Sequence, residues 1–249
     1  MDNQLPPEQI RLMGERMKEI LGLSSYPVGV RLLLDNEECP GEAKTLDQHR
    51  YCQALMKARR GEHVFLDGEG IPCPATAAAF GFRPLPEGLK SGKGLVGFGI
   101  VADEAVGKKM FEGMPKLKPG QINRIYLFPL STSIQSPEIV VVEDEVEKLM
   151  WIALAYLHAK GGARIQSSTA VLQATCVDST IIPYLENRLN LGYGCYGCRD
   201  ATDLGPGEAV LGFPGRMLEP IVEHLNFLKE KAIPVSRGKK AFSLLIKKE

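Results

Sequence analysis

Apolar residues recur at Ile10, Met13, Met17, Ile20 and Leu21 with charged residues between them, and this three-to-four spacing predicts an amphipathic helix over 8–23 that ends at Gly22. PVGVRLLL, residues 27–34, reads as a strand and is followed by the turn-rich DNEECPGE. Thr45 and Gln48 stand at capping-box spacing for a helix running to about Arg60, with Cys52, Leu55 and Met56 on its apolar side. HVFL is a short strand, and Pro74, suited to a first helical position, opens an alanine-rich helix. GFRPLPEGLKSGKG forms a loop long enough to serve as a lid. LVGFGIV, INRIYLFPL and EIVVV read as strands, EAVGKKMFEGM as a helix, and 143–160 as the clearest helix of the chain. ARIQ and TAVLQAT read as short strands, STIIPYLENRL as a helix interrupted or started by Pro183, and EAVLGF as a buried strand. A last long helix, 216–231, places Leu218, Ile221, Val222, Leu225 and Leu228 on one buried face.

This order predicts an α+β fold in a single globular unit, 1–249, with mixed sheet segments covered by helices. Two stretches are alike. Ala58, Arg59, Arg60, Gly61 end one helix before a strand and Cys73; Ala159, Lys160, Gly161, Gly162 end another before a strand and Cys176. The offset suggests an internal duplication with related halves at about 24–100 and 122–214, flanked by the terminal helices 8–23 and 216–231. Cys73 and Cys176 then occupy matching places near the interface of the halves, where sites commonly form.

The charge pattern removes several function classes. Thirty basic and thirty acidic side chains leave no net field, and apart from the tail Arg237 to Lys240 with Lys247 and Lys248 no basic stretch is interleaved with aromatics, which argues against a dedicated nucleic-acid binder. The beginning of the chain lacks a signal-like region and nowhere do eighteen apolar residues run together, so a soluble cytoplasmic protein with no membrane partner is expected. In a reducing cytosol the six cysteines are core residues, redox thiols or metal ligands rather than standing disulfides.

NLGYGCYGCRD, residues 190–200, carries two motifs at once. Its G-x-G-x-x-G lacks dinucleotide-binding context, because RDATDLGPG cannot carry a helix past Asp203. GLKSGKG is one spacer short of a P-loop, and Gly94 stands where Ser or Thr would hold magnesium. The C-x-x-C of Cys195 and Cys198 is the stronger signal, since two thiolates at this spacing can bind one tetrahedral ion or two irons of a cluster. A redox C-x-x-C ordinarily opens a helix; residues 192–199 are instead expected to form a tight loop. Cys73 and either Cys52 or Cys176 complete four ligands. Cys52 is preferred because it and Cys73 bracket one compact helix–strand unit, which gives the set Cys52, Cys73, Cys195 and Cys198 and leaves Cys39 a bystander. An iron–sulfur cluster of the 4Fe–4S type is expected there, with zinc as the alternative, since a zinc ribbon usually shows two close C-x-x-C pairs. Arg199 and Asp200 are candidates for orienting the loop or binding an anionic ligand. The histidines, 49, 63, 158 and 224, form no metal-binding spacing, and no serine has a G-x-S-x-G context.

YPVGVRLL, RYCQALMKARRGE, IPCPATAAAFGF, TCVDSTIIPYL, GCYGCRD and GEAVLGFP, in this order, resemble the archaeal and bacterial proteins grouped as domain of unknown function 169. The resemblance spans nearly the whole chain. It implies a prokaryotic cytosolic protein of mixed α and β structure, associated with redox and one-carbon metabolism in anaerobes and marked by cysteine-containing loops, but brings no assigned reaction. Two further readings stand beside the thiolate-metal one. One is a metal-free protein or enzyme that binds a small anionic ligand between the halves, at the loop from Phe82 to Gly94 with Arg83, Lys90 and Lys93. The other is a homodimer formed through an exposed sheet or helix.

Overall fold

The computed structural model describes residues 5–34, 37 and 43–246. Its centre is a seven-stranded sheet made of β1 (Val28–Leu33), β2 (Lys44–Leu46), β3 (Val64–Asp67), β4 (Arg124–Pro129), β5 (Ile139–Glu145), β6 (Asn190–Gly192) and β7 (Glu208–Pro214). The spatial order is β2-β3-β4-β1-β5-β7-β6. β2 and β3 are parallel and the other neighbours antiparallel, so the sheet is mixed. The strand made first, β1, therefore lies in the middle, with Val28 opposite both Pro129 and Val141.

Helices α1 (Pro7–Leu21), α2 (Tyr51–Arg59), α3 (Pro74–Ala79), α4 (Glu87–Lys90), α5 (Lys93–Gly97), α6 (Glu104–Glu112) and α7 (Val146–Lys160) precede a π-helix, Ala174–Ile181, which runs into α8 (Ile182–Glu186). α9 (Tyr196–Ala201), α10 (Leu218–Glu230), α11 (Ala232–Arg237) and α12 (Lys240–Ile246) follow. The period-two alternation of the strands sorts their side chains into two cores. On β5, Ile139 and Val141 face one, Val140 and Val142 the other.

One core lies under α1, α7 and α10, whose apolar faces have helical spacing. Leu218, Ile221, Val222, Leu225 and Leu228 of α10 are all buried there, and burying each such side chain contributes about 1.5–3 kcal/mol. Phe65, Tyr126 and Phe128 stack beneath these helices with ring centroids 4.7 Å apart. The second core is covered by α2, α3 and the π-helix, with α4, α5 and α6 packed together beyond them. The π-helix backbone lies directly on β7: a Cβ on Gly212 would stand 1.7 Å from the Ser179 carbonyl oxygen, so only glycine permits this approach.

The α+β class and the long helices agree with the sequence reading. Thr45 does not cap a helix; it lies in β2, and α2 starts at Tyr51 with the Arg50 amide donating to Gln53 Oε1 at 2.9 Å. LVGFGIV is not a strand. Gly92 and Gly99, both at positive φ, bracket the short α5 in this segment, a conformation that a strand does not adopt. ARIQ and TAVLQAT form no strand, so the segment after α7 lacks the element that follows α2. α2 and α7 also cover opposite faces of the sheet, and an internal duplication is not shown. Cys39 lies outside the described residues.

Candidate functional site

The thiols are set by short elements on the second face. Cys52 is the second residue of α2 and is buried. Cys73 is the residue before α3, held in extended conformation ahead of Pro74. Cys176 is buried in the π-helix, whose polar side chains are satisfied locally: Ser179 Oγ and Thr180 Oγ1 donate to the Thr175 carbonyl at 2.6 and 3.0 Å, and Tyr51 Oη and Thr180 Oγ1 share a hydrogen bond of 2.8 Å. Such i→i+5 turns are rare and recur at functional sites.

The expectation of a helix-free loop at 192–199 is corrected. β6 ends at Gly192, Gly194 turns the chain at positive φ, and α9 begins at Tyr196. Cys195 caps that helix through its sulfur, which accepts the Cys198 amide at 3.3 Å. A thiol in the place of the usual Ser or Asp cap left no helix-start signal in the sequence. The two sulfurs point the same way, with Sγ to Sγ at 3.0 Å.

Cys52, Cys73, Cys176, Cys195 and Cys198, all the described cysteines, are free thiols and line one cavity of about 520 Å³. Both candidates for the fourth position, Cys52 and Cys176, are therefore present. Thr175 Oγ1 lies 3.2 Å from Cys198 Sγ, and Thr76 Oγ1 donates to Cys176 Sγ at 3.4 Å. The remaining wall is mostly apolar and includes Leu89, Leu95, Phe98 and Ile100 from the α4–α5 segment.

Electrostatics keep Cys176, Cys195 and Cys198 protonated at neutral pH. The hydrogen bond from Cys198, then burial, holds Cys195 far above the ordinary thiol range. For Cys198 the hydrogen bond with Cys195 pulls downward, but Cys52 and burial outweigh it and push the thiol up to about 11. Burial, and next the neighbouring Cys73, raise Cys176. Beneath the cavity, Arg59 Nε lies 3.1 Å from Glu143 Oε2, and Arg59 also pairs with Asp203. Burial pushes Glu143 up to about 7, and pushes Asp178 of the π-helix up to about 7 as well.

Of the other candidates, Asp200 lies at the cavity, 3.8 Å from Arg50. Arg199 does not line it. Its guanidinium donates to the carbonyls of Gly205, Tyr193 and Glu208, so it braces the loop. Arg83 and Lys90 line a different cleft of about 890 Å³, together with Lys108 and Lys116. Thr175, Gln173 and Glu143 were missed as site residues. Thr175 leaves a trace as a polar residue inside the largely apolar TCVDSTIIP, because polar groups within a buried segment need a reason, whereas Gln173 and Glu143 lie outside that stretch.

Among the described residues no group of three or more His, Cys, Asp or Glu stands where it could hold a metal ion. No helix of the described residues is long and apolar enough to cross a membrane. No solved structure matches the chain. It is 30% identical over 225 residues to the "uncharacterized protein MJ0308" of Methanocaldococcus jannaschii, an alignment covering 89% of this chain and 96% of that protein. A family model described as "Uncharacterised ArCR" matches residues 16–224. The chain belongs to this family, domain of unknown function 169.

Proposed function

We propose that the protein holds an iron–sulfur cluster of the 4Fe–4S type in the cysteine cavity, with Cys52, Cys73, Cys195 and Cys198 as ligands, in a cytosolic setting. The observation that carries this reading is that five thiols from four separate segments open on one apolar cavity of about 520 Å³. Packing alone rarely gathers soft donors from positions as far apart as 52 and 198. Two thiolates on one tetrahedral ion stand about 3.8 Å apart, given bonds of about 2.3 Å; the Cys195–Cys198 pair at 3.0 Å must open by less than an ångström for the single-ion alternative, zinc, and further for a cluster. In a cluster each thiolate binds a separate iron, so the ligands surround a core instead of meeting at one point. Bound metal also supplies the positive charge that deprotonates thiols which burial otherwise keeps neutral.

A dithiol redox role is the weaker use of the same pair. It is supported by the 3.0 Å contact and the helix opening at Cys195. However, an attacking thiol requires a lowered pKa, and both thiols are raised. A metal-free reading has its own support in the cleft bearing Arg83, Lys90, Lys108 and Lys116, where Glu87 and Glu112 pair with Lys90 and Lys108 and a net positive charge is left for an anionic metabolite. Citrate and phosphate in a thermal-shift assay test that reading.

The deciding experiment is anaerobic reconstitution with iron and sulfide, followed by metal analysis, absorption and electron paramagnetic resonance. Wild type is expected to hold iron and sulfide in equal amounts. Serine at Cys52, Cys73, Cys195 or Cys198 removes the cluster signal, whereas Cys39→Ser and Cys176→Ser keep it. A wild type that stays colourless and metal-free overturns the reading.

A further inference from the structure

The cysteine cavity carries more than thiol ligation uses. Its outer wall is apolar, built from Leu89, Leu95, Phe98 and Ile100, and Phe98 stays exposed at 67% of its surface while lining it. Gln173 also lies on the wall. It is 8% exposed, and its carboxamide makes no hydrogen bond among the described residues. Its polar atoms keep some contact with solvent, so a ligand that displaced this solvent without a hydrogen bond would leave the carboxamide unsatisfied at a cost. The backbone adds a second indication: Gln173 has φ 55° and Val171 φ 57°, the left-handed region that a β-branched residue strongly resists. Strain of this kind persists where a site needs it, and here it sets Gln173 at the start of the π-helix.

We infer that this cavity binds a small neutral organic molecule, with its apolar body against Leu89, Leu95, Phe98 and Ile100 and a single carbonyl or amide group hydrogen-bonded to the Gln173 carboxamide, next to the thiols. The two charged residues on the wall, Arg50 and Asp200, face each other at 3.8 Å, and Arg50 also donates to the Gly197 carbonyl at 3.0 Å. A charged ligand would lose its hydration without gaining a free counter-charge. A wholly apolar ligand would leave the carboxamide unsatisfied. Only the cavity and Gln173 carry this inference, which goes beyond the metal reading and does not need it.

Three probes of similar size separate the cases in calorimetric titrations: benzamide, benzoate and ethylbenzene. Benzamide is expected to bind at least about tenfold more tightly than either of the others, the scale of one buried hydrogen bond. Gln173→Met should weaken benzamide about tenfold and leave ethylbenzene within about twofold. Phe98→Ala, at an exposed position that folding does not need, should weaken both neutral probes. Benzoate binding as well as benzamide, no binding of any probe, or a Gln173→Met protein that still prefers benzamide overturns the inference. Repeating the titrations on Cys195→Ser keeps the two readings apart. Failure of the metal reading leaves a colourless protein that binds benzamide; failure of this one leaves a cluster-loaded protein that binds no probe.

Discussion

The two faces of the sheet use the same strands for different ends. Under α1, α7 and α10, long helices with regular apolar spacing meet stacked aromatic rings, and the side chains that fill the space are large. Under α2, α3 and the π-helix the elements are short, alanines and cysteines stand among larger side chains such as Tyr51 and Phe80, and a cavity is left open. The first face is packed in the way that holds a domain together, and the second keeps its reactive groups accessible at some cost in packing. Neighbouring residues on one strand show the division: on β7, Phe213 fills the aromatic core, while Gly212 makes room for the π-helix.

Phe213→Ala should have the largest effect on stability, a loss of about 3–5 kcal/mol by urea unfolding. Thiol titration of the folded fraction should be unchanged. If the thiols became more reactive, the faces would not be independent.

Acid and base should separate the faces next. Glu143 and Asp178, on the thiol face, have carboxyls raised by burial to about 7 from ordinary values of 4.5 and 3.8. A raised carboxyl binds its proton more tightly in the folded state, so its stabilising effect is complete below the unfolded pKa and is lost as pH rises through about 7. The expected loss between about pH 4.5 and 7 is on the order of 3 kcal/mol for a shift of this size. On the opposite face, burial alone would raise Asp144, but hydrogen bonds from Lys148, the Glu145 amide and Ser24 outweigh it and hold the group low. Glu147 is held low first by Arg237. Their contributions are present above the unfolded pKa and disappear as pH falls through the folded one. Glu143→Gln should therefore flatten the slope of unfolding free energy between pH 5 and 7 and leave the acid limb intact; an unchanged slope would refute the assignment.

Gly212→Ala is expected to cost about 1–3 kcal/mol or more, because the backbone of the π-helix must move to relieve the overlap. That shift should nevertheless lower probe binding and metal loading, the reverse of the Phe213 result. Leu154→Ser, at an exposed position on α7, should move stability by no more than about 0.5 kcal/mol and leave the site untouched.

Legibility followed the same division. The helices 8–23, 143–160 and 216–231 and the central strands were readable because their burial pattern has a clean period over many residues. On the thiol face, LVGFGIV carried the composition of a strand yet turns at Gly99, and TAVLQAT was drawn into an irregular path ending in the strained Gln173. Tertiary packing decides such short segments, and local propensity does not. Cys52, Cys73, Cys195 and Cys198 were nameable from their glycine, proline and helix settings, and all four line the cavity. That Cys176 lines the cavity beside Cys52 was not, because that depends on where the π-helix lies on β7.

The central place of β1 bears on how the protein is made. Its partners β4 and β5 lie about a hundred residues further along the chain, so the middle of the sheet cannot close while its first strand waits for them. Pairing over such separations is slow, and synthesis at about 5–20 residues per second adds its own delay. Cys52 and Cys73 leave the ribosome well before Cys176, Cys195 and Cys198 exist to share a cavity with them. For that interval two thiols of the site are unshielded in a nascent chain, and any oxidant or loose metal meets them before their partners do.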